Sequence, residues 1–88
     1  MEITYPARAV EQDGGYFVEF IDLPDTFTEG ETLDAALFNA AEVLSGMLAW
    51  RLDGAQDIPL PTPKLEGVHY VAPDHKTQAA LLRQTWAG

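Results

Sequence analysis

GGYFVEFIDLPDTFTEGETLDAALFNAAEVLSGML, residues 14–48, sets a strand, an acidic loop, a short strand and a long helix in succession with almost no slack. At its head, Asp13, Gly14 and Gly15 supply the positive φ angles that a tight hairpin turn demands, with β-rich sequence on both sides. Residues 2–22 are therefore predicted to form a hairpin. On the first arm Ile3, Tyr5, Ala7 and Ala9 alternate with Glu2, Thr4, Pro6 and Arg8. On the second, Tyr16, Val18 and Phe20 alternate with Phe17, Glu19 and Ile21. A side-chain period of two gives such a hairpin one core face and one partly wet face.

Leu23-Pro24-Asp25 ends the second arm, because proline has no N–H for the ladder and restricts the residue before it. Thr26-Phe27-Thr28 then reads as a short third strand, closed by Gly30. Thr32 is a good N-cap, and Asp34 stands in the first turn, where the helix dipole favours a negative charge. From there Leu33, Ala36, Leu37, Ala40, Val43, Leu44, Met47 and Leu48 follow helical spacing. A helix is expected over 32–53, with Arg51 in its last turn and Gly54 as its stop.

Ile58-Pro59-Leu60-Pro61-Thr62-Pro63 carries proline at every second position and is expected to be an extended, stiff connector. Val68-His69-Tyr70-Val71 is short, β-prone and bounded by Gly67 and Pro73, which predicts a fourth strand. From Asp74, a candidate N-cap, the sequence turns helical again, with Ala79, Leu82 and Trp86 along one stripe and Leu81 beside it. That helix admits three readings: it packs on its own domain, pairs with another chain, or opens a further region. The expected fold class is α+β, a β-β-β-α-β domain over 1–73 with a three- to four-stranded, largely antiparallel sheet under one long helix. Residues 74–88 are expected to add a short C-terminal helix.

At 88 residues there is room for one domain and one small core, a size at which a partner or oligomerisation commonly relieves marginal stability. The absence of cysteine excludes a disulfide framework and a thiolate zinc site. No basic-then-apolar leader opens the chain, and its apolar runs are far short of the roughly 20 residues a membrane span needs. The expectation is a soluble, cytoplasmic chain with no membrane association.

Charge is the strongest global property: 14 acidic residues against 5 basic ones give a formal net charge of -9. A polyanion would be approached without the Lys/Arg contacts whose counterion release supplies affinity, so direct DNA or RNA binding by residues 1–64 is not expected. A basic protein, by contrast, would be steered toward such a surface. The acids are concentrated: Glu11, Asp13, Glu19, Asp22, Asp25, Glu29, Glu31 and Asp34 crowd the hairpin and the helix entry, with Arg8 the basic residue nearby. Turns and helix N-termini favour Asp and Glu in any case, so position alone does not assign them a partner.

Conventional catalytic signals are missing. His69 and His75 are separated by a proline break and form no i, i+4 metal pair. Ser45 precedes Gly46 inside the helix, outside any nucleophile-elbow pattern. No cofactor is expected.

Four features in order, GGYFVEF at 14–20, I-D-L-P-D at 21–25, the T-x-G-E-T-L-x-x-A helix entry at 28–36 and D-I-P-L-P-T-P at 57–63, resemble the HicB family of antitoxins. The resemblance runs to about Pro63, with one departure: the glycine usual after the loop proline is Asp25 here. It implies a domain related to a partial ribonuclease H fold. It also implies a partner, a small basic RNA-cleaving toxin of the HicA type, whose active site the antitoxin covers. In several such proteins a DNA-binding region that represses the operon follows, and the resemblance implies DNA contact only through a region of that kind. A ribonuclease H relationship raises the question of hydrolysis. That chemistry needs carboxylates converging on metal ions, whereas the first strand offers only Glu2 and Glu11 at its ends, and Asp22 and Asp25 lack further oxygen ligands at recognisable spacing. The expectation is a binding protein and not an enzyme.

Given that partner, the loop and short strand over 22–31, helped by the outward face of the second strand, form the candidate toxin-binding surface: Glu19, Asp22, Asp25, Glu29 and Glu31. Phe27, Trp50, Leu82 and Trp86 are more apolar surface than a one-face core requires, and mark candidate oligomer contacts in a dimer or higher homo-oligomer. The alternative function is a stand-alone regulatory or oligomerisation module of the same family.

Overall fold

The computed structural model describes residues 2–84. Gln12 pairs with Gly15, and the two residues between them, Asp13 and Gly14, both take positive φ (51° and 80°), as a two-residue hairpin turn of the primed type requires. Gly15 lies outside the turn. It is the first residue of β2, and a Cβ there would meet the carbonyl oxygen of Gly30 at 2.9 Å, so its smallness serves close strand packing.

Strands β1 (Tyr5–Gln12), β2 (Gly15–Phe20), β3 (Phe27–Gly30) and β4 (His69–Val71) form one sheet of order β3-β2-β1-β4, antiparallel at every pairing. The expected third strand is shifted toward Gly30, since Thr26 N–H turns back to Leu23 O at 3.1 Å and closes the loop. Register fixes the faces. Tyr5, Ala7, Val18, Phe20 and Val71 point to one side and are buried, whereas Arg8, Val10, Phe17, Glu19, Phe27 and Glu29 point to the other.

Helix α1 (Leu33–Asp53) covers the buried face, mainly over β2 and β3. Thr32 caps it through a hydrogen bond that its hydroxyl accepts from Ala35 N at 3.1 Å. Ala36, Ala40, Leu44 and Leu48, four apart in sequence, are its fully buried positions, flanked by the half-buried Leu37, Val43 and Met47. The small residues lie toward the N-terminal end because the backbones nearly touch there: a Cβ on Gly30 would stand 2.5 Å from Ala36 N. At the far end Gly54 is the C-cap but has φ of −86°; the left-handed residue is Ala55 (φ 55°), one position later than the glycine stop implied.

Helix α2 (His75–Gln84) closes the core beside α1. Asp74 caps it by accepting Thr77 N at 2.8 Å, and Asp74 N–H donates to Ser45 Oγ of α1 at 2.9 Å. Gln78 grips the start of the chain with both ends of its amide: Oε1 accepts Ile3 N at 3.0 Å and Nε2 donates to Ile3 O. These anchors set the rotation of α2, so its inward residues are Thr77 and Leu81, four apart, and not the expected stripe of Ala79 and Leu82, which is exposed. Trp86, the last member of that stripe, lies outside the described residues.

Residues 56–68 form neither helix nor strand, yet side chains from across the fold hold them. Tyr5 Oη donates to Pro59 O at 2.7 Å, and Arg51 donates to Asp57 O at 3.0 Å. Tyr70 Oη donates to Thr62 O at 2.8 Å and accepts Leu65 N at 2.9 Å. This strap also covers part of the sheet's other side. Pro6 and its partner Tyr70 belong to the outward face by register, and Pro6 is nonetheless fully buried.

Candidate protein-docking site

The strap leaves the β2–β3 half of the outward sheet face open. Phe17 stands opposite Glu29 and Glu19 opposite Phe27, so the four side chains form a square with like residues on its diagonals. The Phe17 and Phe27 rings are 5.6 Å apart at 35°. Phe27 is 54% exposed, and Val10, opposite Phe17 on β1, is 45% exposed. Arg8, opposite Glu19, is the basic residue of this face. On β3, Asn39 of α1 donates to Glu29 O at 2.9 Å.

Of the five candidate toxin-binding acids, the structure brings Glu19 and Glu29 onto one surface. Glu31, just past β3, and Asp25, in the loop before it, are both exposed near its margins. Asp25 adopts φ of 70°, a left-handed backbone region that favours glycine. Asp22 is placed differently. Half-buried, it accepts Thr62 N at 2.8 Å and Thr62 Oγ1 at 2.6 Å, so its carboxylate is engaged in holding the strap. Phe17 lies on the outward face of the second strand beside Glu19, within the expected surface, and strand alternation adds Val10 beside Arg8, a residue that charge alone does not mark.

Among the described residues, the candidate oligomer contacts do not share a surface. Phe27 is on the open sheet face, whereas Trp50 (59% exposed) is on α1, behind the sheet, and Leu82 is on α2. Phe38 (67% exposed) also lies on the outer side of α1 and borders an open groove of about 750 Å³ between α1 and α2, floored by Ser45, Gly46, Pro73 and Thr77.

Among the described residues, Tyr5 and Asp74 are perturbed, and both are structural. Burial, reinforced by the negative charge of Asp22, pushes the Tyr5 hydroxyl up to about 12. Hydrogen bonds from Thr77 hold the Asp74 carboxyl below its ordinary value. Among the described residues no three His, Asp or Glu side chains are grouped to hold a metal ion, and no helix is long and apolar enough to cross a membrane.

Comparison with known proteins places this geometry. A family model described as HicB-like antitoxin of bacterial toxin-antitoxin systems matches residues 4–73, from the start of the hairpin to the residue before the α2 cap. Antitoxin HicB of Escherichia coli K12 is 34% identical over 59 residues, covering 67% of this chain and 43% of that protein. Antitoxin HicB 1 of Photorhabdus laumondii is 38% identical over 52 residues, covering 59% of this chain and 34% of that protein. An uncharacterized 14.9 kDa protein of Haemophilus phage HP1 is 32% identical over 61 residues, covering 69% of this chain and 46% of that protein. The chain thus spans less than half the length of these curated relatives. With the family match running through every strand and the long helix, the chain belongs to the HicB-like antitoxin family of bacterial toxin–antitoxin systems.

Proposed function

We propose that this chain neutralises a small basic RNA-cleaving toxin of the HicA type by binding it and covering its active site. The observation that supports this reading is the open sheet face, where Glu19, Glu29 and Phe27 are exposed beside the half-buried Phe17 on a chain of net charge -9. Such a surface attracts a cationic protein and repels RNA, so it suits competition for the toxin's RNA-binding surface. Catalysis has no part in this role: the chain acts in the cytoplasm by occupancy, without cofactor or metal.

The test is co-expression with the small basic protein encoded beside it, scoring growth and co-purification together. Rescue of growth with a stable complex is the expected outcome; growth arrest with no complex would refute the reading.

A second reading is favoured by a separate observation. Phe38 and Trp50 are exposed on the outer side of α1, away from the sheet face, and would suit self-association of a regulatory or oligomerisation module. DNA binding in that case belongs to a region other than residues 1–64. Sedimentation of the purified chain tests the second reading, which requires a dimer or higher oligomer without any partner, whereas the first alone requires a complex with the toxin.

A further inference from the structure

We infer that the open sheet face is a receptor for one arginine or lysine side chain of the basic partner, its cationic head lying over the Phe17–Phe27 ring pair between the carboxylates of Glu19 and Glu29. This rests on the antitoxin reading and specifies how the surface recognises its partner. Cross-strand register carries the argument: Glu29 opposite Phe17 and Glu19 opposite Phe27 place an acid on each side of the aromatic diagonal. A cation over a ring face is attracted by the ring quadrupole, and a carboxylate alongside supplies a charge-assisted hydrogen bond. Two rings with centroids 5.6 Å apart offer a platform about the width of a guanidinium group and its stem.

The surroundings select the occupant. The strap covers the Pro6 end of the face, confining the open area to the β2–β3 half beside Val10. Exposed acids continue the negative charge past its margin at Asp25 and Glu31. A second copy of this chain would bring two acids, Glu19 and Glu29, for its one Arg8 on this face, and a nucleic acid would bring phosphates; the net negative charge disfavours both. A cationic protein surface gains from the acids at its rim and from the rings at its centre.

The experiment measures association and dissociation of the small basic protein encoded beside this chain, used as the probe, between about 0.05 and about 0.5 M salt. Phe27→Thr keeps a β-prone residue at an exposed site, and with Phe17→Leu it should speed dissociation roughly tenfold or more while leaving the salt slope unchanged. Glu19→Gln with Glu29→Gln should slow association and flatten the slope. Glu42→Gln, an exposed acid on α1, should change neither. Melting curves of all variants confirm that they are folded. If the parent binds and both sheet-face pairs bind like it, the receptor is overturned and the antitoxin reading stands. If the parent does not bind the probe, the antitoxin reading falls and the receptor with it.

Discussion

Asp22 and Thr62, forty residues apart in sequence, are joined by two hydrogen bonds to one carboxylate: Thr62 N–H at 2.8 Å and Thr62 Oγ1–H at 2.6 Å. Asp22 lies two residues past β2, so the pair fastens the proline-rich strap to the end of the central strands. The strap cannot bond into a ladder through its prolines, and its fixing falls to side chains instead.

Asp22→Ala should lower stability by about 2 kcal/mol, because it removes both bonds, and Thr62→Ala by about 1 kcal/mol, because Thr62 N–H keeps its bond to the carboxylate. The double variant should cost about as much as Asp22→Ala alone, since the hydroxyl bond that Thr62→Ala removes is already lost with the carboxylate. Urea titration of the four proteins measures this coupling, and additive losses would show that the pair is not a unit.

Two glycines should respond oppositely to the same substitution. At Gly30 a Cβ would lie 2.5 Å from Ala36 N and 2.8 Å from its Cα, both backbone atoms that cannot swing away. Gly30→Ala should therefore cost about 2–3 kcal/mol by forcing α1 off β3. At Gly46, exposed inside α1, a Cβ meets nothing within 4 Å. Gly46→Ala should raise stability by about 1 kcal/mol through helix propensity, read as a higher melting temperature.

Asp25 separates charge from backbone. Its φ of 70° is strained for a residue with a Cβ, so Asp25→Gly should leave stability unchanged or raise it by about 0.5 kcal/mol. If its charge also steers a basic partner, association should slow in the same variant. A protein that becomes less stable on this change would show that the aspartate side chain supports the loop.

Alkaline pH should weaken the fold through Tyr5. Its hydroxyl rises from 10.0 to about 12 in the folded protein, so the unfolded chain loses this proton first. The stabilisation is fully present below pH 10 and declines as pH climbs toward 12, by about 2–3 kcal/mol in all. Tyr5→Phe should be less stable at neutral pH, for want of the bond to Pro59 O, and should lose this part of the alkaline slope. An unchanged slope in denaturation series from pH 9 to about 12 would assign the dependence to other groups.

Hairpin, long helix, fourth strand and family were legible in the sequence because each is written locally. Asp13-Gly14 can make few turns other than a primed one, the alternation at Tyr16, Val18 and Phe20 has a single period, and Thr32 precedes a clean helical stripe. The same local reading missed the facing of α2, where Thr77 and Leu81 point inward because Ser45 and Ile3 anchor the neighbouring residues Asp74 and Gln78. It also grouped Asp22 with Glu19 and Glu29 by charge and proximity in the chain.

The sequence by itself determined the elements, their order and the acidic character of the hairpin region, since propensity, periodicity and charge act over a few residues. Only the tertiary structure decided which acids are free. Strand register sets Glu19 and Glu29 beside Phe17 and Phe27 on an uncovered face, while the strap returns from the far end of α1 to engage Asp22. Whether a carboxylate is offered to a partner or held within the fold depends on which donors long-range packing brings within hydrogen-bond distance, and no local pattern carries that information.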